Sequence, residues 1–225
     1  IIWHKRTAMS FEAFSCLGSA RNELIVELFQ KASSFLSTLG SFLIVSDIAR
    51  KVLHGKATDP YQRIMVSLSI YDIMLSLILF LGSWLTPKET GWLWAVGNTA
   101  SCSAQGFFFI FGAVGELLCQ MAISFNILML IVFGWNQNQF AKKMERPMHI
   151  IIFTLALSIA ITPLSTQTYN PWCGSCFYTV MYEKCSSGKD EEELCAVRGN
   201  ETVEFVMFIV YRVLLFSALI FCTIA

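Results

Sequence analysis

Residues 64–85 read IMVSLSIYDIMLSLILFLGSWL, an apolar run in which Asp72 is the single charge. Coiled as a helix, the run is long enough to cross the roughly 30 Å of hydrocarbon in a bilayer. In hydrocarbon every backbone amide and carbonyl must find its partner inside the span, and a helix achieves that locally. The stretch therefore reads as a transmembrane helix.

Working outward, residues 104–133 form a longer run that carries Glu116 and Gln120. Residues 148–164 follow Arg146-Pro147 and close near Pro163, where proline ends or kinks a helix. Residues 203–225 hold Arg212 as their central charge, with Glu204 near the start. The weakest run is 24–47, which Glu27 and Lys31 interrupt; one helical turn apart, these two can pair. The pattern predicts an all-α, polytopic transmembrane helix bundle of five spans. Residues 1–23 precede it as an N-terminal segment, and 165–202 form a Cys-rich loop.

Composition supports this class. Hydrophobic residues make up 55% and charged residues 14%, and the mean hydropathy is +0.58, too apolar for an ordinary soluble domain. Sixteen Lys and Arg against 16 Asp and Glu leave no net charge, so no basic excess is available to hold nucleic acid. The partner implied is the lipid bilayer. The first residue is Ile1 and the last, Ala225, lies inside an apolar run, so a piece of a longer polypeptide is expected.

The loops alternate sides. Arg50, Lys51, Lys56, Arg63, Lys142, Lys143 and Arg146 fall on one side, against Lys88, Lys184, Lys189 and Arg198 on the other. Basic residues concentrate on the cytoplasmic side, which puts the N-terminus outside, with the plasma membrane as the expected location. The outer side also holds Cys102, Cys173, Cys176, Cys185 and Cys195, and the sequon Asn200-Glu201-Thr202, so disulfides and glycosylation at Asn200 are expected. The loop has no histidine, which favours disulfides over zinc. A bridge from Cys102 to Cys173 would tie the third span to the loop and restrict its unfolded state. Cys119 and Cys222 fall within spans and read as small packing residues.

A carboxylate in mid-bilayer is costly and faces a bundle interior, which makes Asp72 the leading site candidate. Gly112, Glu116, Gln120 and Ser124 recur every four residues and form one polar stripe on the third span. Asp72, Glu116 and Gln120 are the expected ligand or ion pocket; if the carboxylates approach, either one is protonated or a cation sits between them. The plainer alternative is that Glu116 hydrogen-bonds a neighbouring helix. No nucleophile, base and orienting group occur together, so neither an enzyme nor a cofactor is expected.

Gly40-Ser41, followed by Phe42-Leu43-Ile44-Val45, Ile48 and Arg50, resembles the first-helix Gly-Asn pattern of rhodopsin-like G-protein-coupled receptors, with Ser41 in place of Asn. Leu68-Ser69-Ile70-Tyr71-Asp72 is similar to their second-helix Leu-Ala-x-x-Asp, and Trp94-Ala95-Val96-Gly97 to their outer-loop Trp-x-Phe-Gly. Cys102 matches the cysteine that opens their third helix and bonds to the second outer loop. The resemblance runs from Gly40 to about Cys173 and looks closer still to receptor-like proteins predicted in marine microalgae. It implies helices one to five of a seven-helix receptor, sodium bound at Asp72 with Glu116 near another sodium ligand, an external ligand, and signalling to a heterotrimeric G protein. The sequence departs from the family pattern at Asn126-Ile127-Leu128, where the Asp-Arg-Tyr arginine is missing; the fourth span has no Trp and the fifth no Pro. Two other functions fit a polar bundle: a transporter or channel subunit relaying ions through Asp72 and Glu116, or a non-signalling membrane scaffold.

Overall fold

The computed structural model describes the backbone over residues 20–186 and 192–224, and side chains over 24–181 and 198–223. The N-terminal segment therefore lies almost wholly outside the described residues, as do Lys189 and the side chains of Lys184, Cys185 and Cys195.

Among the described residues five long helices carry the bundle: α1 (Ala20–Leu53), α2 (Pro60–Leu81), α3 (Thr99–Ile131), α4 (Arg146–Ser165) and α5 (Glu201–Ile224). Each lies in a segment long and apolar enough to cross a membrane. Their ends depart from the hydropathy limits where polar residues prolong or cap a helix. α1 runs on to Leu53, with Asp47 and Lys51 paired one turn apart at 2.7 Å. α2 starts at Pro60, whose missing N–H suits a first helical turn. α3 starts at Thr99 because Asn98 and Ser101 cap it reciprocally: Ser101 N–H donates to Asn98 Oδ1 at 2.9 Å and Asn98 N–H to Ser101 Oγ at 2.8 Å.

The helices alternate in direction, which gives the bundle a hairpin end and a basic end. α3 packs against α2, α4 and α5, while α1 leans on α2. Small residues let these backbones close up. A Cβ on Gly115 would stand 2.3 Å from the Tyr71 ring, and one on Gly106 2.3 Å from the Tyr169 ring. One apolar cluster near the hairpin end gathers Ile110, Val114, Ala156, Ala160, Tyr169, Tyr178 and Met207. A second, near the basic end, gathers Ile64, Tyr71, Cys119, Ala122, Phe140 and Ile152. Outside these, large side chains such as Phe29 and Phe42 on α1 and Val213 and Phe216 on α5 face outward.

The pairing of Glu27 with Lys31 holds at 3.0 Å, but its larger role is to α2. The last carbonyls of a helix have no intrahelical donor. Here α1 supplies donors: Gln30 Nε2 to Leu79 O at 3.0 Å and Lys31 Nζ to Phe80 O at 2.7 Å. Glu27 Oε1 in turn accepts from Ser83 N–H and Oγ at 3.2 and 2.9 Å, and Lys31 Nζ sits 4.1 Å from the Trp84 ring centroid.

The 165–202 segment holds more order than its composition suggested. Strands β1 (Tyr169–Trp172) and β2 (Ser175–Tyr178) form one antiparallel hairpin, and β3 (Met181–Ser186) and β4 (Glu192–Arg198) another. Asn170 draws the two together: fully buried, its Nδ2 donates to Thr179 O at 2.7 Å and to Arg198 O at 3.4 Å.

Candidate functional site

α1 and α2 build the surroundings of Asp72. Ser37 and Ser41 lie one turn apart on α1, so both hydroxyls reach the same carboxylate. Ser37 Oγ donates to Oδ1 and Oδ2 at 3.0 and 2.9 Å, and Ser41 Oγ to Oδ2 at 2.6 Å. Ser76, one turn along α2, adds a contact at 3.5 Å. Ser41 makes the shortest of these bonds.

Glu116 stays with its own helix: Gln120 Nε2 donates to Glu116 Oε1 at 3.2 Å. Further along the stripe, Ser124 Oγ donates to Cys222 Sγ of α5 at 3.3 Å. The four-residue spacing sets Glu116, Gln120 and Ser124 in one line on α3, and its Ser124 end reaches α5. Among the described residues no hydrogen bond joins Asp72 to Glu116 directly, since Asp72 is engaged by serines of α1 and α2. Arg212 of α5 holds its guanidinium 4.8 Å from the Phe208 ring.

Above the polar line sits the hairpin cap, and here the expected bridge from Cys102 to Cys173 is corrected. Cys102 bonds to Cys176, with Cα atoms 5.3 Å apart. Cys173 occupies the turn of the β1–β2 hairpin with φ +46°, whereas Cys176 stands on β2 where alternation turns it inward, 2% exposed. Cys173 is itself disulfide-bonded. Sequence spacing alone does not separate two cysteines three residues apart; only the strand register does.

Gln105, one turn past Cys102 and buried, reinforces the same junction. Its Nε2 donates to Gly82 O at 2.9 Å, and its Oε1 accepts from Cys176 N–H at 3.2 Å. Thr86 Oγ1 adds a bond to Gly174 O at 3.2 Å. Tyr169 plugs the cap into the bundle, its hydroxyl donating to Ala160 O at 2.8 Å. Burial raises the phenols of Tyr169 and Tyr178 well above their ordinary range. For Tyr178, which pairs with Tyr169 at the open end of the β1–β2 hairpin, Tyr211 and Glu204 of α5 add to the rise and Arg212 opposes it. Asn200 marks the start of α5, its Oδ1 accepting from Val203 N–H at 3.1 Å.

At the basic end, a pair unnoticed in the sequence clasps α2 to the turn before α4. Glu145 accepts from Arg63 Nε and, at 2.6 Å, from Arg63 Nη2. The partners lie 82 residues apart, so no local spacing announces them.

No family model matches the chain, and no curated protein does. Among solved structures, the crystal structure of squid rhodopsin is similar, with a TM-score of 0.58 at 14% sequence identity. The match covers 92% of this chain and 51% of that one, so the chain spans about half the length of that protein. The likeness shows the fold: an all-α, polytopic transmembrane bundle arranged as in rhodopsin.

Proposed function

We propose that this bundle is the core of a membrane receptor in which an external ligand at the hairpin end biases the placement of α3, and a cytoplasmic partner reads the result at the basic end. The carrying observation is the covalent tie from the β1–β2 hairpin to the first turn of α3, a helix that packs against α2, α4 and α5. A ligand pressing on the cap acts on the element with the most neighbours. It shifts a conformational equilibrium to the extent that it binds the two states unequally.

In this reading the hairpins, the Asn200 sequon and the N-terminal segment face outside, and the basic loops face the cytoplasm, where a heterotrimeric G protein is the candidate transducer. Asp72 with Ser37, Ser41 and Ser76 offers an all-oxygen set of the kind that suits a hard cation, and sodium is the candidate ion. Glu116 and Gln120 are the candidate ligand-facing pair.

Antibody fragments raised against the hairpin end can serve as surrogate ligands. With Cys222→Ser removing the exposed thiol and spin labels on Lys56→Cys and Asn138→Cys in the full chain in nanodiscs, at least one fragment should redistribute the label distance at the basic end. Distances unchanged under every tight-binding fragment would leave a static scaffold.

A further inference from the structure

Residues 137–145 bridge α3 and α4 at the basic end as a one-turn helix, Gln137–Phe140, followed by a π-helical turn, Ala141–Glu145. π turns are rare and concentrate at functional sites. Two attachments hold the segment down. Phe140 is fully buried with Ile64, Cys119, Ala122 and Ile152, its ring 6.2 Å from that of Phe125. Glu145 takes the Arg63 guanidinium from two nitrogens, and Arg63 also donates to Thr58 O, so the clasp is anchored on both sides.

One feature opposes closure. Gly115, Cys119 and Ala122 share a face of α3 that meets Tyr71 and the Phe140 cluster, and Asn126 is the next residue on that face. Asn126 is 0% exposed. Neither its Nδ2 nor its Oδ1 meets a hydrogen-bonding group among the described residues, and Gln137 Oε1 is in the same condition. A buried amide with nothing to bond is a penalty on the arrangement that buries it. Alongside lies a cleft of about 410 Å³, lined by Arg63, Glu145, Ser67, His149, Tyr71 and neighbouring apolar groups.

We infer that residues 137–145 are a latch with two positions: closed by the Arg63–Glu145 clasp and the Phe140 plug, and opened by a swing about the start of α4 that relieves Asn126. The latch stands on this geometry; only its use in signalling rests on the receptor reading. The clasp favours the closed position, the orphaned amide favours the open one, and the two terms set the balance.

Opposite-signed variants test this in the full chain in nanodiscs, with Cys222→Ser removing the exposed thiol and a spin label on Asn138→Cys. Glu145→Gln should raise the mobile fraction of the label about tenfold. Adding Asn126→Leu, which removes the orphaned amide at similar size, should reverse much of that rise. The charge exchange Arg63→Glu with Glu145→Arg should return the label toward the parent spectrum. An unmoved label in Glu145→Gln overturns the latch, as does Asn126→Leu acting in the same direction. Loss of the Cys102–Cys176 bond in Glu145→Gln, read by non-reducing peptide mapping, also counts against it, because the pair would then support the whole fold. If the latch responds while the antibody fragments move nothing, the latch stands and the receptor reading fails.

Discussion

Replacing Cys176 with serine removes the staple between the cap and α3. The bonded cysteines are separated by 74 residues. In the chain-entropy description, closing such a loop in a fully unfolded chain is worth about 4.5 kcal/mol. In a bilayer the unfolded reference keeps α3 and α4 helical, leaving roughly 25 flexible residues, for which the same relation gives about 3.5 kcal/mol. Gln105, Thr86 and the Tyr169 plug still seat the hairpin, so the expected result is a folded but weakened protein. At the entropy of unfolding usual for chains of this size, Tm should fall by about 10 °C. Thermal unfolding in nanodiscs, followed by tryptophan fluorescence, reads the change. Cys173→Ser is the control: the Cys102 bond must survive in it. Peptide mapping that links Cys102 to Cys173, or a Cys176→Ser protein melting within about 2 °C of the parent, refutes the reasoning.

Gly106→Ala forces a methyl to within 2.3 Å of a Tyr169 ring that has nowhere to go, costing about 1–3 kcal/mol; Gly40→Ala, with nothing within 4 Å, should leave Tm unchanged or slightly raised. Sodium binding at Asp72 requires that Tm be higher in sodium chloride than in choline chloride, and that Asp72→Asn abolish the difference; equal melting of the parent in both salts removes sodium from the account. Tyr169 and Tyr178 have folded values above the ordinary 10.0, so their stabilising contribution is complete below pH 10 and is lost as pH rises toward those values. Phenolate absorbance should therefore lag behind that of free tyrosine above pH 10, then rise together with unfolding, and Tyr169→Phe should shrink the lag.

Hydropathy was enough to locate all five spans, because the cost of exposing backbone to hydrocarbon leaves so few options. The ends were less legible: capping by Asn98 and Ser101 and the Asp47–Lys51 pair lengthen helices beyond their apolar limits. Spacing also revealed the polar line of Glu116, Gln120 and Ser124, since a four-residue period needs only the helix. Contacts between distant segments were hidden. Ser37 reaches Asp72, Gln105 reaches Cys176, and Arg63 reaches Glu145 only after the helices pack. The partner of Cys102 turned on hairpin register, where one residue of slip exchanges the two faces.

The exchange between α1 and the end of α2 bears on how the protein is made. α1 lies in the least apolar of the five segments, and its Glu27 and Lys31 find further partners at the end of α2. α2 alone would leave its final carbonyls without donors. Each supplies what the other lacks, through Lys31 to Phe80, Gln30 to Leu79 and Glu27 to Ser83. The first two spans are thus suited to leave the insertion machinery as a pair. A lesion at Lys31 should then appear as failed insertion of α1 during synthesis, before any effect on the finished protein can be seen.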